Sequence, residues 1–451
     1  MRILFILLIG ALAAADISSK GMSLGAGLSV KNALLYPIAL GLLFRMTLTG
    51  RLRLRLPMVN VAFLVWFGYA LLTWIACITV IRYPGYDATA NAISLKTGLF
   101  DSVLFFFTYF YGVETEGDFF ALAKTLALAI GIANILTLAD VAGIVNLGVT
   151  IGTDGVEAGR VFGVFGHAND TAALIVCLLP LLAAVAISSR GWMKAFWFLG
   201  ALSSIAVLLL TVSRGAFVGA AVGYAAALWL CRRHLPASRV VSWVLMGLTC
   251  LVVAAGVAAV VMPGFTQVLT DRLFNQSLAV SAATASSGRT ALWMRTIHAM
   301  TMHPITLLTG YGWRTYELWY VLITHNFYLD QWFNLGVIGL FAFLTILHQT
   351  LTTALRAVTA AEAHLRPYFI AFIFGTIGLA VSVFFVNLEK PWDYIWMYVG
   401  LTMRAAVAAV EAAQEVQRPS ARIARIKLKP AAYAPAARTA ARPRFVGDMR
   451  R

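Results

Sequence analysis

Apolar residues occur along this chain in blocks of about 20, and a helix of that length can cross a bilayer core about 30 Å thick. Shorter polar stretches separate the blocks. The pattern predicts an all-α polytopic membrane protein with about 12 transmembrane helices. The helices are expected over residues 3–15, 33–46, 57–80, 94–111, 119–138, 169–187, 195–212, 215–231, 240–262, 326–350, 368–387 and 394–411.

The first block also resembles a secretory signal peptide, because Leu12, Ala13, Ala14 and Ala15 look like a cleavage site. A signal peptide begins with a positively charged segment, and here that segment holds only Arg2. We therefore interpret the block as an uncleaved first span.

The composition strengthens this interpretation. Of the 451 residues, 61% are hydrophobic and 12% are charged. Soluble domains average about 45–50% apolar and about 25% charged residues. These values exclude a disordered chain, a coiled coil and an ordinary water-soluble enzyme. The cysteines lie within spans or at their ends and show no metal-ligand spacing, so neither a disulfide nor a zinc site is predicted.

Lys and Arg concentrate in alternate loops, and loops of that kind face the cytoplasm. The basic loops are 45–56, 188–194, 231–239 and 351–367. The loop 112–118 is the exception, because it is acidic. The charge bias predicts that both chain termini are cytoplasmic and that the remaining loops are periplasmic.

The segment after the last span, 412–451, carries ten Lys or Arg against two acidic residues. It is rich in Ala, Pro and Arg and lacks a sustained apolar face. We predict a disordered cytoplasmic tail that lies against anionic membrane lipid. No nucleic-acid partner is expected, because the tail offers no folded basic platform. Residues 1–411 form the predicted transmembrane domain.

Two outer segments, 139–168 and 263–325, are far longer than the typical loop of about 4–6 residues. The second is expected to be a long periplasmic loop containing interfacial helices. Arginines and histidines collect in these segments and at the nearby span ends. They are Arg160, Arg214, Arg272, Arg289, Arg295, Arg314, His167, His298, His303 and His325. Arginine normally avoids this side, so the collection indicates an anionic partner.

Arg214 lies in a tight turn between two apolar runs, where Gly215 would let a ligand or another backbone come close. An arginine near the membrane costs free energy to place there and is usually paired with an acidic or polar group. Its side chain can alternatively extend to the lipid headgroups. Arg289 and Arg295 belong to a stretch that predicts an interfacial helix. For these two, contact with lipid headgroups and substrate binding are equally good interpretations.

His325 precedes a long span. A histidine in that position titrates near neutral pH and can accept a proton from a hydroxyl. A hydrogen-bonded interface histidine is the alternative. Asn169 also stands before a span and could cap its helix. Capping alone does not account for Arg160 and His167 beside it.

Four segments together resemble the O-antigen ligase and polysaccharide polymerase superfamily. They are Arg160 to Asn169, Thr211 to Gly215, Gly288 to Gly312, and His325 to Gly339. The third contains Gly288-Arg289, His303-Pro304 and Gly310-Tyr311-Gly312 in the family's order. The fourth reads His-Asn, nine residues, Gly336, two residues and Gly339, a spacing typical of the ligase branch. The resemblance covers about residues 160–345 and departs from the family where His167-Ala168 replaces a common Asn-Pro.

The resemblance implies a membrane-embedded, inverting, metal-independent glycosyltransferase with no cofactor. Similar enzymes use the motif histidine, here His325, as general base on the acceptor hydroxyl. Arg214 and Arg289 would stabilise the diphosphate leaving group, because planar guanidinium groups bind phosphate through paired hydrogen bonds. The substrate-binding residues expected beside them are Arg160, Asn169, Asn326, Arg295 and Arg314.

The implied reaction transfers a glycan from an undecaprenyl-diphosphate carrier at the periplasmic face of the bacterial inner membrane. The acceptor would be a lipid A core for a ligase or a growing glycan for a polymerase, and a third kind of relative uses protein hydroxyls. A glycolipid transporter is the alternative from another class. It would place charges at mid-membrane, whereas Asp101, Lys124 and Arg404 are scattered along the spans.

Overall fold

The computed structural model describes nine parts of the chain. They are residues 1–17, 23–25, 27–49, 57–147, 151–152, 159–275, 288–320, 323–388 and 391–427. The chain divides into two compact units, Met1–Val410 and Glu411–Arg451.

The described residues are almost entirely helical, and the all-α class is confirmed. The helices are α1 (Arg2–Ile17), α2 (Val30–Leu48), α3 (Met58–Ala76), α4 (Ala88–Leu95), α5 (Asp101–Gly112), α6 (Glu116–Val141), α7 (Ala168–Ser188), α8 (Trp192–Leu210), α9 (Arg214–Cys231), α10 (Ala237–Val261), α11 (Phe265–Thr270), α12 (Arg289–Met302), α13 (Pro304–Thr309), α14 (Thr315–Trp319), α15 (Phe327–Ala360), α16 (Arg366–Ser382) and α17 (Trp392–Lys427).

Short π-helical turns extend α3 through Cys77–Ile81, join α4 to α5 through Lys96–Phe100 and follow α11 over Asp271–Asn275. A 3-10 turn, Arg232–His234, follows α9. The strands β1 (Ser23–Gly25) and β2 (Leu28–Ser29) form a small antiparallel pair between α1 and α2.

Nine helical segments in the described part of the chain are long and apolar enough to cross a membrane. Each of the twelve predicted blocks coincides with a helix, and α1, α2 and α16 are the ones that fall short in length or apolar character. The protein is therefore a polytopic membrane protein. The number of 12 spans stays a prediction.

Close packing of α9 against α16 depends on residues without side chains. A Cβ atom added at Gly223 would lie 2.5 Å from the Cα of Gly378, and one added at Gly219 would lie 2.8 Å from the Gly378 carbonyl oxygen. Small residues let helix backbones approach in this way inside membranes. The contact holds the start of α9 against the segment that follows α16.

Two acidic side chains of the loop 112–118 have partners at neighbouring helix ends. Arg45 lies 2.9 Å from the Glu114 carboxylate, and His364 Nε2 lies 3.0 Å from the Glu116 carboxylate. Exposed pairs of this kind contribute little stability. They give partners to the loop that departs from the predicted basic pattern.

In the described residues of the predicted outer loop 263–325, four short helices form, namely α11, α12, α13 and α14. Their position in a membrane interface stays a prediction. The last helix, α17, extends to Lys427, so the first part of the predicted tail is helical rather than unstructured. The remainder, 428–451, lies outside the described residues.

Candidate active site

The turn between α8 and α9 has an unusual backbone. Val212 has a φ of 46°, a left-handed conformation that β-branched residues rarely adopt. Its N–H donates to the Leu209 carbonyl at 3.0 Å, which closes the turn. Ser213 is then the N-cap position of α9, and Arg214 is the first helical residue.

The side-chain amide of Asn169 joins this turn to the segment before α7. Its Oδ1 accepts hydrogen bonds from Arg160 Nη2 at 2.6 Å and from Ser213 Oγ at 2.9 Å. Arg160 Nε also donates to the Thr211 carbonyl at 2.8 Å. Arg160 is only 2% exposed, so its guanidinium is a buried positive charge held in a fixed orientation. Two motifs that are separate in sequence therefore form one structure.

His167, not Asn169, occupies the N-cap position of α7. The expectation that Asn169 could be the cap is wrong, because the imidazole takes that role. His167 Nδ1 accepts a hydrogen bond from the Asn169 N–H at 3.2 Å, and the ring stacks on Phe162 with 5.6 Å between centroids. Because Nδ1 accepts, the geometry assigns the proton of the neutral ring to Nε2.

Arg289 begins α12, and its Nη1 donates to the Phe385 carbonyl at 2.9 Å. One turn later, Trp293 Nε1 donates to the Thr324 carbonyl at 2.8 Å. These two hydrogen bonds attach α12 to the segment after α16 and to the segment before α15. Ser286 and Ser287, which the sequence places before this helix, lie outside the described residues.

The same Phe385 contacts the start of α9. A Cβ atom added at Gly215 would lie 2.5 Å from the Phe385 Cβ, so only glycine permits this approach. Arg214 and Arg289 therefore lie at the starts of two helices that meet at one residue. The close approach predicted at Gly215 is therefore made by Phe385 of the protein itself.

His325 stands between two residues that are held in place. Asn326 Oδ1 accepts a hydrogen bond from the Leu329 N–H at 3.0 Å and caps α15. Thr324 Oγ1 and Asn387 Nδ2 are 2.9 Å apart. His325 itself has a φ of 50°, a left-handed conformation that is uncommon for residues other than glycine. The fixed neighbours hold the imidazole at the mouth of the long helix.

The electrostatic environment of His325 identifies its neighbours. Its pKa is lowered from 6.5 to about 4, first by burial and then by electrostatic interactions with Arg289, His167 and Arg160. A lowered pKa means that the imidazole is neutral at pH 7 and can act as a base. We use the name arginine–histidine cluster for Arg160, His167, Arg289 and His325, together with Arg214 at the start of the helix that packs on Phe385.

The structure does not bring all predicted substrate-binding residues together. Asn326 is used as a helix cap. Arg295 is exposed on α12, and its charge acts on Tyr320. Arg314 donates to Ser94 Oγ at 2.5 Å and pairs with Glu317, in the wall of a cavity.

The motif glycines before and within α15 are explained by packing. Gly336 has φ 63° and ψ −170°, which kinks α15. A Cβ atom there would lie 2.1 Å from the Leu308 carbonyl oxygen, and one at Gly310 would lie 2.4 Å from the Asn334 carbonyl oxygen. The Tyr311 N–H donates to the Phe333 carbonyl at 2.9 Å across the same contact. These glycines allow the segment after α13 to dock on the kink.

A cavity of about 500 Å³ lies beside the start of α15, and sequence reasoning missed it. Its walls come from α1, α2, α3, the α4–α5 span, α14, α15 and α17. The polar side chains include Lys31, Arg314, Asp330, Gln331, Asn334 and Asp393. The position of Asp330 and Asp393 in the first turns of apolar helices was the available signal.

The charges inside the helical bundle are not all scattered, and that expectation is wrong for Asp101. Its carboxylate lies 3.0 Å from Lys96 Nζ and accepts hydrogen bonds from Asn32 and Tyr36, both at 2.7 Å. Arg404 Nε donates to the Val113 carbonyl at 3.2 Å. In the described part of the chain, no group of three His, Cys, Asp or Glu side chains could hold a metal ion.

Residues 198–344 match the family model described as O-Antigen ligase. Over this segment the chain is similar to the O-antigen ligases. The match spans about a third of the chain and includes Arg214, Arg289 and His325, whereas Arg160 and Asn169 precede it. None of the curated proteins compared with the chain matches it.

The resemblance inferred from the motifs is thereby confirmed. The O-antigen ligase segment, in a chain of many apolar helices, indicates a membrane protein of polysaccharide biosynthesis with a ligase-like or polymerase-like glycosyltransferase activity on a saccharide substrate. Two segments outside the match, the one before α7 and the one after α16, complete the site through the contacts of Asn169 and Phe385.

Proposed function

We propose that this protein is an O-antigen ligase-like enzyme of the bacterial inner membrane. It transfers a glycan from an undecaprenyl-diphosphate carrier to an acceptor hydroxyl, on the periplasmic side. One observation carries the proposal: within the O-antigen ligase segment, Arg289 acts electrostatically on His325, and Arg214 begins the helix that packs on Phe385, the residue to which Arg289 donates a hydrogen bond. The spacing from His325 to Gly339 favours the ligase branch.

The leaving group in this reaction is a diphosphate, which gains negative charge as the glycosidic C–O bond breaks. Arg214 and Arg289 stabilise that charge through charge-assisted hydrogen bonds. Arg160 contributes positive charge at longer range, because its Nε and Nη2 are bonded to Thr211 and Asn169. The long isoprenoid chain of the donor lies between membrane helices.

His325 takes the proton of the acceptor hydroxyl while the hydroxyl oxygen attacks the anomeric carbon from the opposite face. The new C–O bond forms as the bond to the diphosphate breaks, so the configuration inverts. The bound diphosphate offsets the arginine charges around His325. The pKa of His325 therefore rises when the donor binds, which makes it a stronger base in the complex.

The loop 263–325 would cover the reacting groups and exclude water, which otherwise hydrolyses the donor. The hydrogen bonds from Arg289 and Trp293 support this role. They attach α12, within that loop, to the segments that flank His325 and Phe385.

We expect two different acid limbs in the pH–rate profiles of the purified protein. Protonated His325 cannot act as a base, so activity falls as the pH drops through its pKa. The kcat/KM profile reports the free enzyme, and we expect its decline near the pKa of about 4. The kcat profile reports the donor complex, and we expect its decline at higher pH. Coincident limbs near pH 6.5, the usual pKa, would contradict both the buried environment and the charge coupling.

Deletion of the gene tests the reaction that we propose. A ligase acts after chain growth, so a deletion strain should keep long carrier-linked chains and lose them from the acceptor. Accumulation of single carrier-linked repeat units would instead show a polymerase. Complementation with the unaltered gene is the control. The measurement is gel and mass-spectrometric analysis of carrier-linked and surface glycans, and unchanged glycans would overturn the proposal.

A further inference from the structure

The cavity beside α15 has the lining of a carbohydrate site. Trp66, Trp313 and Trp392 contribute aromatic surface. The volume of about 500 Å³ is in the range of ligand pockets, which measure about 300–1,000 Å³. A sugar ring offers apolar C–H faces that pack on indole rings, and hydroxyl groups that bond to carboxylate and amide groups at the edges.

The polar wall of the cavity is held in place by its own hydrogen bonds. Trp66 Nε1 donates to Gln331 Oε1 at 3.0 Å, and both side chains are buried. The Gln331 amide nitrogen lies 3.4 Å from the Asp330 carboxylate. Asp330, at the fourth position of α15, is half-buried and borders the cavity. A pre-oriented aromatic, amide and carboxylate set favours a polyhydroxylated ligand.

The charges of the cavity do not suit a diphosphate. Its basic residues are paired, Lys31 with Asp393 and Arg314 with Glu317. Asp330 and Asp16 add two further acidic side chains to the wall. An anionic ligand would meet this excess of carboxylates, whereas the arginine–histidine cluster offers an excess of cations. The two sites therefore differ in the charge of the ligand that each can hold.

The cavity adjoins the histidine of the cluster through a shared segment. Phe327 and Asn387 line the cavity, and Asn387 is hydrogen-bonded to Thr324, the residue before His325. The cavity is formed at the end of α1 and at the starts of α2, α15 and α17. The topology prediction places all of these helix ends on the periplasmic side. A saccharide in the cavity would thus lie on the same side as the reacting groups.

Most of the cavity wall is outside the segment that matches the ligase family, since Trp66, Gly98 and Trp392 are not within residues 198–344. We infer that this cavity is a binding site for an uncharged saccharide, separate from the diphosphate site. The inference rests on the proposed function. The saccharide is the glycan acceptor or the sugar end of the donor, which share this chemistry.

The test uses the full chain in lipid nanodiscs and isothermal titration calorimetry with two probes. The first probe is the delipidated oligosaccharide that mild acid releases from the host's own surface polysaccharide, and the second is inorganic pyrophosphate. Asp330→Asn keeps the shape of the cavity wall and replaces a carboxyl oxygen with an amide nitrogen, a hydrogen-bond donor. Gly98→Leu adds a side chain where a Cβ atom meets no atom within 4 Å. Asp87→Asn is the matched control, because Asp87 is an exposed helix cap and Asn caps equally well.

We expect each cavity variant to weaken oligosaccharide binding about tenfold or more, as expected when a hydrogen bond or a contact surface is lost. Pyrophosphate binding should be unchanged. Arg289→Lys should give the reverse pattern. Oligosaccharide binding that both cavity variants leave intact would overturn the inference. If Arg289→Lys binds both the oligosaccharide and pyrophosphate as tightly as the unaltered protein, that result would count against the proposed function instead.

Transfer assays identify the source of the saccharide. If it is the acceptor, Asp330→Asn should raise the KM for the acceptor about tenfold and leave the KM for the carrier-linked donor unchanged. If it is the donor glycan, the KM for the donor should rise instead. Unchanged KM values for both substrates would overturn the assignment of the cavity to this reaction.

Discussion

His325→Asn should lower the rate of glycan transfer by about 10²–10⁴-fold, the usual contribution of a general base. Asparagine tolerates the left-handed backbone that His325 adopts, so the variant removes the base without adding strain. The amide cannot take the proton from the acceptor hydroxyl. We expect the loss in kcat, measured with purified protein and carrier-linked donor, while pyrophosphate binding changes little.

His298→Asn is the matched control for this variant. His298 is exposed on α12, and histidine and asparagine have similar helix propensities. Its transfer rate should stay within about twofold of the unaltered protein, because exposed substitutions away from a site have small effects. Normal transfer by His325→Asn would show that the imidazole is not the general base. The arginines would then be the only residues with an assigned role in the reaction.

Sequence periodicity predicted the fold class well because a bilayer imposes one simple rule, that about 20 apolar residues must be helical. Each predicted block coincides with a helix. The short helices of the segment 263–325 were harder to place, since they are neither apolar throughout nor long. Sequence could also not show that the acidic loop 112–118 is paired with Arg45 and His364.

The candidate site was predictable where a motif keeps its residues together in sequence. Arg160 and Asn169 are nine residues apart, and they do form a hydrogen bond. The attachment of Arg289 to Phe385 spans 96 residues, so no local pattern could reveal it. The same applies to the cavity, which forms only when α2, α15 and α17 come together. Asn326 caps α15 through its Oδ1, a role that its motif did not reveal, and its substrate-binding role stays a prediction.

Arg289→Lys should lower the transfer rate about 10²-fold although it keeps the positive charge. A guanidinium has five N–H donors in a plane, and one of them is used on the Phe385 carbonyl. A lysine ammonium lacks the planar pair of N–H donors that can bind two phosphate oxygens at once. The substitution also removes the hydrogen bond to the Phe385 carbonyl that orients the side chain. Removal of a single donor from a developing negative charge commonly costs about 10²–10³-fold in kcat.

Arg190→Lys is the control for Arg289→Lys, because Arg190 is exposed in the loop before α8 and belongs to no proposed site. Its transfer rate should be unchanged. Arg289→Ala, which removes charge and fork together, should be worse than Arg289→Lys, and the difference between the two variants measures the charge alone. Equal rates for Arg289→Lys and the unaltered protein at saturating donor would show that a point charge suffices there. The paired hydrogen bonds to the diphosphate would then have to come from Arg214, whose own lysine variant would become the decisive measurement.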